Sequence, residues 1–202
     1  MRLPSKLLKN LVWAIGLFIS CAQGIDFSPA PTSLDNRSFG SFSIGGVRSS
    51  ITHTSGEMLE FKDYKSTRGA VIFGLKRGLM FGDSQRLLLN AWIDGRAGQE
   101  NKNGLFAFSL GAQGGVRLFG GRVIGLLGGG FEMSNLATPE EKEQYNIYGG
   151  LAKAEIFIDI ARGYGLSVGY TRGFNYKSKK LLGERFDTSS LMLTLSYYDF
   201  SI

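Results

Sequence analysis

Residues 151–160 read LAKAEIFIDI. Ala152, Ala154, Ile156, Ile158 and Ile160 fall on one parity, and Lys153, Glu155 and Asp159 fall on the other. A repeat of two residues belongs to an extended strand whose side chains alternate between faces, here one apolar and one charged.

The same alternation recurs outward from this stretch. Val71, Phe73 and Leu75 share a face. Leu87, Leu89, Ala91 and Ile93 oppose Asn90, Asp94 and Arg96. Phe106, Phe108, Leu110 and Ala112 alternate with small and polar residues, and Leu191, Leu193, Leu195 and Tyr197 alternate with Thr194 and Ser196. The pattern predicts eight strands, at 38–51, 67–76, 86–97, 105–118, 122–133, 146–159, 165–176 and 187–199, each 10 to 14 residues long. Strands of soluble proteins are usually about 5–6 residues, whereas a tilted membrane-crossing strand needs about 9–11. No proline falls inside a predicted strand, as a ladder paired on both sides requires.

In the first strand Phe42 and Ile44 share one parity while Val47 and Ile51 take the other, so a bulge at Gly45-Gly46 is expected to reset the phase. Residues 57–64 are read as an extension of the second strand. Connections alternate between long polar ones (52–66, 98–104, 134–145, 177–186) and turns at 77–85, 119–121 and 160–164 that hold glycine at the bend. Transmembrane β-barrels have short periplasmic turns, longer outer loops and an even strand number. Phe81, Phe119, Tyr145, Tyr148, Tyr164, Phe174, Tyr176, Tyr197 and Tyr198 cluster near the strand ends, where interfacial girdles are expected.

The first 22 residues belong to a different class. Met1–Asn10 is basic, Leu11–Ser20 is continuously apolar, and Ser20, Ala22 and Gly24 are small, which is the layout of a cleaved secretory signal at 1–22. Phe18–Cys21 offers a competing lipoprotein reading with Cys21 as the lipid carrier. A linker at 23–37 would precede a barrel domain at 38–202. Losing Arg2, Lys6 and Lys9 with no acid takes three charges from the formal +6 and leaves +3, with no dense basic run to suggest a nucleic-acid partner. One histidine and one cysteine cannot supply a metal cluster, and no cofactor is expected.

Period two alone does not say which face is outside. A soluble secreted β-sandwich or lipocalin-like barrel would bury the apolar face and wet the charged one. The long strands, and the glycines concentrated on the charged face (29 glycines in the chain), favour the reverse, with hydrocarbon outside and ions within. With its signal, its eight alternating strands and its terminal strand Ser190–Phe200, the chain resembles the small outer-membrane barrels of the OmpA/OmpX-like class over residues 38–202. The resemblance implies an all-β, closed, antiparallel eight-stranded transmembrane barrel in the bacterial outer membrane. It also implies recognition of a terminal aromatic by the barrel-assembly machinery. Here that aromatic, Phe200, stands two places before the end.

With the apolar face outward, Lys76, Asp94, Arg96, Arg117, Arg122, Glu132, Lys153, Glu155 and Asp159 are expected in the lumen. Side chains just fill an eight-stranded barrel, so such charges must pair. The outcome is either a polar interior locked by salt bridges or a narrow solute path. His53, the sole histidine, shares a face with Ser55, and Glu57 continues it. That His/Ser/acid set would suit acyl transfer or hydrolysis, and is similar in kind to the barrels that modify lipid A acyl chains. Against this, those enzymes place their residues elsewhere in the chain, and Asp83-Ser84 falls in a turn on the other side. The outer loops are the remaining interaction candidates. Residues 99–103 and 135–144 carry mixed charge, and Lys177, Lys179 and Lys180 suit anionic lipopolysaccharide or a host or environmental ligand.

Overall fold

A computed structural model describes residues 26, 28–30, 37–82, 84–100, 103–137 and 143–200. The signal sequence, Cys21, most of the linker and Asp83 lie outside them. Eight strands run β1 (Ser38–Ser55), β2 (Lys65–Phe81), β3 (Leu87–Glu100), β4 (Asn103–Leu118), β5 (Val123–Ala137), β6 (Gln144–Ala161), β7 (Tyr164–Lys177) and β8 (Arg185–Asp199). Each pairs antiparallel with its neighbour, and β8 returns to β1 to close the barrel. Closure leaves no unpaired sheet edge, which hydrocarbon would penalise by several kcal/mol for each bare backbone group.

The apolar parity faces outward. Leu127 is 69% exposed and Leu195 64%, while Lys153, on the opposite parity, is 2% exposed. Inside, the side chains form three levels. At the end with the β2–β3, β4–β5 and β6–β7 turns, Phe39, Met80, Leu88, Ile124, Leu126, Phe157, Tyr198 and Phe200 make one apolar layer, with Ala30 of the N-terminal segment added. At the loop end Ile51, Phe61, Leu136, Ile147, Tyr176, Leu181 and Phe186 make another. Lys76, Asp94, Arg96, Glu132, Lys153 and Glu155 lie between them. Val47, Ile72 and Met192 form a small apolar cluster on the inner wall of β1, β2 and β8.

Several details differ from the sequence expectations. The Gly45-Gly46 bulge is absent: β1 pairs with β2 without interruption, Gly45 opposite Ile72 and Gly46 opposite Val71. Val47 and Ile51 are apolar because they join interior clusters, so they need no change of phase. Residues 57–64 do not lengthen β2. They form a short 3-10 turn, Leu59–Phe61, that folds inward and buries Phe61. The anticipated 98–104 loop is mostly strand, since β3 runs to Glu100 and β4 starts at Asn103, opposite it. Beyond the bilayer a strand can carry polar side chains on either face, so polarity there does not mark a loop. Tyr176 and Tyr198 are fully buried in the interior layers and belong to no outer girdle. Tyr164 and Tyr197 do stand outside, their rings 4.4 Å apart.

Candidate functional site

The interior ions are assembled from β2, β3, β4, β5 and β6. Strand β6 presents Lys153 and Glu155 two residues apart, so both point inward one above the other. Lys153 Nζ lies 2.6 Å from Asp94 Oδ2 and 3.7 Å from Glu155 Oε2. Lys76 Nζ donates to Glu155 Oε1 at 2.5 Å and to the Tyr198 hydroxyl at 3.1 Å. The result is a chain of alternating charge: Asp94, Lys153, Glu155, Lys76. Lys153 also sits 4.2 Å from the centre of the Trp92 ring.

A second group lies toward the loop end. Arg96 Nη1 is 3.0 Å from Glu132 Oε2, close enough for an ion pair but not aligned as a hydrogen bond. Arg96 also donates to Ser190 Oγ at 3.1 Å, and the Tyr176 hydroxyl donates to Glu132 Oε1 at 3.2 Å. At the opposite, turn end, Arg117 of β4 stacks over Phe200 at 4.1 Å, which places that aromatic inside the barrel. Asp159 faces inward, and its two oxygens accept the backbone N–H groups of Ala30 and Gly163 at 2.8 and 2.9 Å. It thereby ties the N-terminal segment to the β6–β7 turn. On the same segment, the Asp26 carboxyl is held below the ordinary carboxylate range chiefly by the backbone N–H of Ser28.

Arg122 is the exception among the expected lumen residues. It has helical dihedrals in the turn before β5 and is exposed, so it lies outside the strand alternation that would have turned it inward. Arg68 was missed, though it shares the parity of Lys76. It is buried, and its Nη1 donates to the Asn135 carbonyl at 2.5 Å.

At the loop end His53 meets neither Ser55 nor Glu57 in the manner expected. Its Nε2 is 2.6 Å from Glu184 Oε2, and Glu184 Oε1 accepts the backbone N–H groups of Glu57 and Met58 at 3.0 and 3.1 Å. The acid beside the histidine is therefore Glu184, brought over by the β7–β8 loop, while Glu57 contributes its backbone and Ser55 is exposed. Glu184 is buried in this clasp although it belongs to a polar loop. Gly56 makes room for it: its φ is +148°, and a side chain there would run into the Glu184 carboxylate. Lys177, Lys179 and Lys180 are exposed beside the same loop.

No family model matches the chain, and no curated protein matches it. Solved structures do. Ail, the attachment invasion locus protein of Yersinia pestis, is 14% identical, with 80% of this chain and 99% of that one covered and a TM-score of 0.52. A second structure of Ail, in complex with the heparin analogue sucrose octasulfate, is 16% identical with 80% and 99% covered and a TM-score of 0.51. Neisserial surface protein A is 10% identical, with 79% and 96% covered and a TM-score of 0.51. The fold is that of the small eight-stranded outer-membrane β-barrels.

Proposed function

We propose that the chain is exported by its cleaved N-terminal signal, inserted in the bacterial outer membrane by the barrel-assembly machinery, and serves there as a closed scaffold whose outer loops carry its interactions. The turn end and the N-terminal segment face the periplasm in this reading, and the His53–Glu184 end faces the medium. One observation carries it: an outward apolar wall surrounds paired ions that are capped above and below by apolar layers. Such an interior suits a locked plug. A continuous aqueous path would need polar groups through both caps, where Phe39, Phe157 and Tyr198 stand at one end and Phe61, Phe186 and Tyr176 at the other.

The loop-end cations suit anionic partners, lipopolysaccharide first and host or environmental glycans second. The heparin analogue bound to Ail supports that reading by analogy of fold. Membrane fractionation, with gels of unboiled and boiled samples, tests the proposal. The folded barrel should partition with the outer membrane and shift in mobility on boiling. Recovery of the processed chain as a soluble protein would sink it.

A further inference from the structure

The pairing of β6 with β7 skips near the loop end. Tyr148 pairs with Lys177 and Gly150 with Phe174, which leaves a bulge in β7 containing Asn175 at φ +55° and Tyr176. Tyr176 turns into the barrel over Gly149, where a Cβ would press on its ring at 2.6 Å. Beside this bulge a recess of about 550 Å³ opens on the outer wall. Phe131 and Met133 of β5 and Tyr148 of β6 form its apolar floor, with the Phe131 and Tyr148 rings 6.3 Å apart. Ser178, Lys179 and Lys180 of the β7–β8 loop line its upper side, and the Lys180 backbone N–H donates to Ser178 Oγ at 3.4 Å.

We propose that this recess seats an acyl chain of a phosphorylated outer-leaflet lipid, with Lys179 and Lys180 meeting its phosphate. The inference rests on the outer-membrane and anionic-lipid reading above and adds where on the barrel the lipid sits and which side chains take its acyl chain and its phosphate. Apolar floor and cationic edge meet at the height where the outward side chains change from Phe131 and Met133 on β5 to Asn146 and Gln144 on β6. An amphiphile with its phosphate at the hydrocarbon boundary has that same order of chemistry. A recess of this volume accommodates a ligand of modest size. A free phosphate would use the lysines and leave the floor unexplained. An apolar peptide would use the floor and leave the lysines unexplained.

Native mass spectrometry of the processed full-length barrel, released from micelles doped with diphosphoryl lipid A or with the same lipid lacking phosphate, tests this. The unmodified barrel should retain the phosphorylated lipid at least about tenfold better. Lys179→Gln with Lys180→Gln should abolish that preference, and Met133→Trp, which fills the floor, should lower retention of both lipids. Unchanged retention in either variant overturns the proposal, as do displacement of the lipid by millimolar inorganic phosphate alone and a second copy of the chain in its place. Heat-shifted mobility of every variant is checked first. An inserted barrel that retains no lipid sinks the recess alone, whereas a chain that never inserts sinks the membrane reading with it.

Discussion

Lys153 of β6 and Asp94 of β3 hold one another across the barrel interior at 2.6 Å, and each is at most 3% exposed. Two ions that far from water are tolerable only as partners. Lys153→Met should therefore cost about 3–5 kcal/mol by stranding the Asp94 carboxylate, while adding Asp94→Leu should recover most of it. Urea titration in micelles, read by the loss of the unboiled gel band, measures both. Equal stability of the single and double variants would falsify the pairing.

Gly74 provides a second approach to the same pair. A Cβ there would stand 2.6 Å from Asp94 Oδ1 and 2.5 Å from Ser43 Oγ. Gly74→Ala is expected to push the carboxylate off Lys153 and destabilise by about 1–3 kcal/mol, whereas Gly95→Ala, which meets open space on the outer wall of β3, should be near neutral. Comparable losses for the two would show that strand propensity, and not crowding around Asp94, sets the cost.

Outward orientation makes its own prediction. Leu127→Arg, on the apolar wall of β5, should lose about 2–4 kcal/mol and insert poorly into vesicles, the usual result for a cation facing hydrocarbon near mid-bilayer. On a water-exposed surface the same change would be neutral and would raise solubility. Insertion yield distinguishes the two.

The Glu184 clasp joins the β1–β2 and β7–β8 loops. Glu184→Ala strands the backbone N–H groups of Glu57 and Met58, with an expected cost of about 1–3 kcal/mol, and should open both loops to protease. Cleavage after Lys62 and after Lys179 or Lys180 on intact cells reports it. A digestion pattern identical to that of the unchanged chain would remove the clasp as the element joining these loops.

Strand number, order and facing were legible because hydrocarbon demands one apolar face over a fixed length, and residues 151–160 display that demand without interruption. The same logic placed Lys76, Asp94, Lys153 and Glu155 inside. It failed where the interior is itself apolar. Val47, Ile51, Tyr176 and Tyr198 carry no local mark separating an inward cap from an outward wall, so a bulge was expected at Gly45-Gly46 and outward places for Tyr176 and Tyr198, while Phe81, Phe119, Tyr164 and Phe174 do stand outside. The Glu184–His53 pair was hidden for another reason. The partners are 131 residues apart and meet only because β8 closes on β1, a relationship that local periodicity does not encode. Arg122 was misplaced because β5 starts one residue later than expected, at Val123, and a turn residue is not held to the alternation of the strand that follows it.

The return of β8 to β1 also constrains how the molecule is made. Until Arg185–Asp199 has been synthesised, Ser38–Ser55 has only β2 beside it, and one flank of its backbone is bare. A barrel lacking β8 has one gap with two bare edges, on β1 and on β7, which hydrocarbon would penalise group by group. The eighth strand is thus the one that completes the first, and the hydrogen-bonded wall is whole only once the polypeptide meets its own beginning.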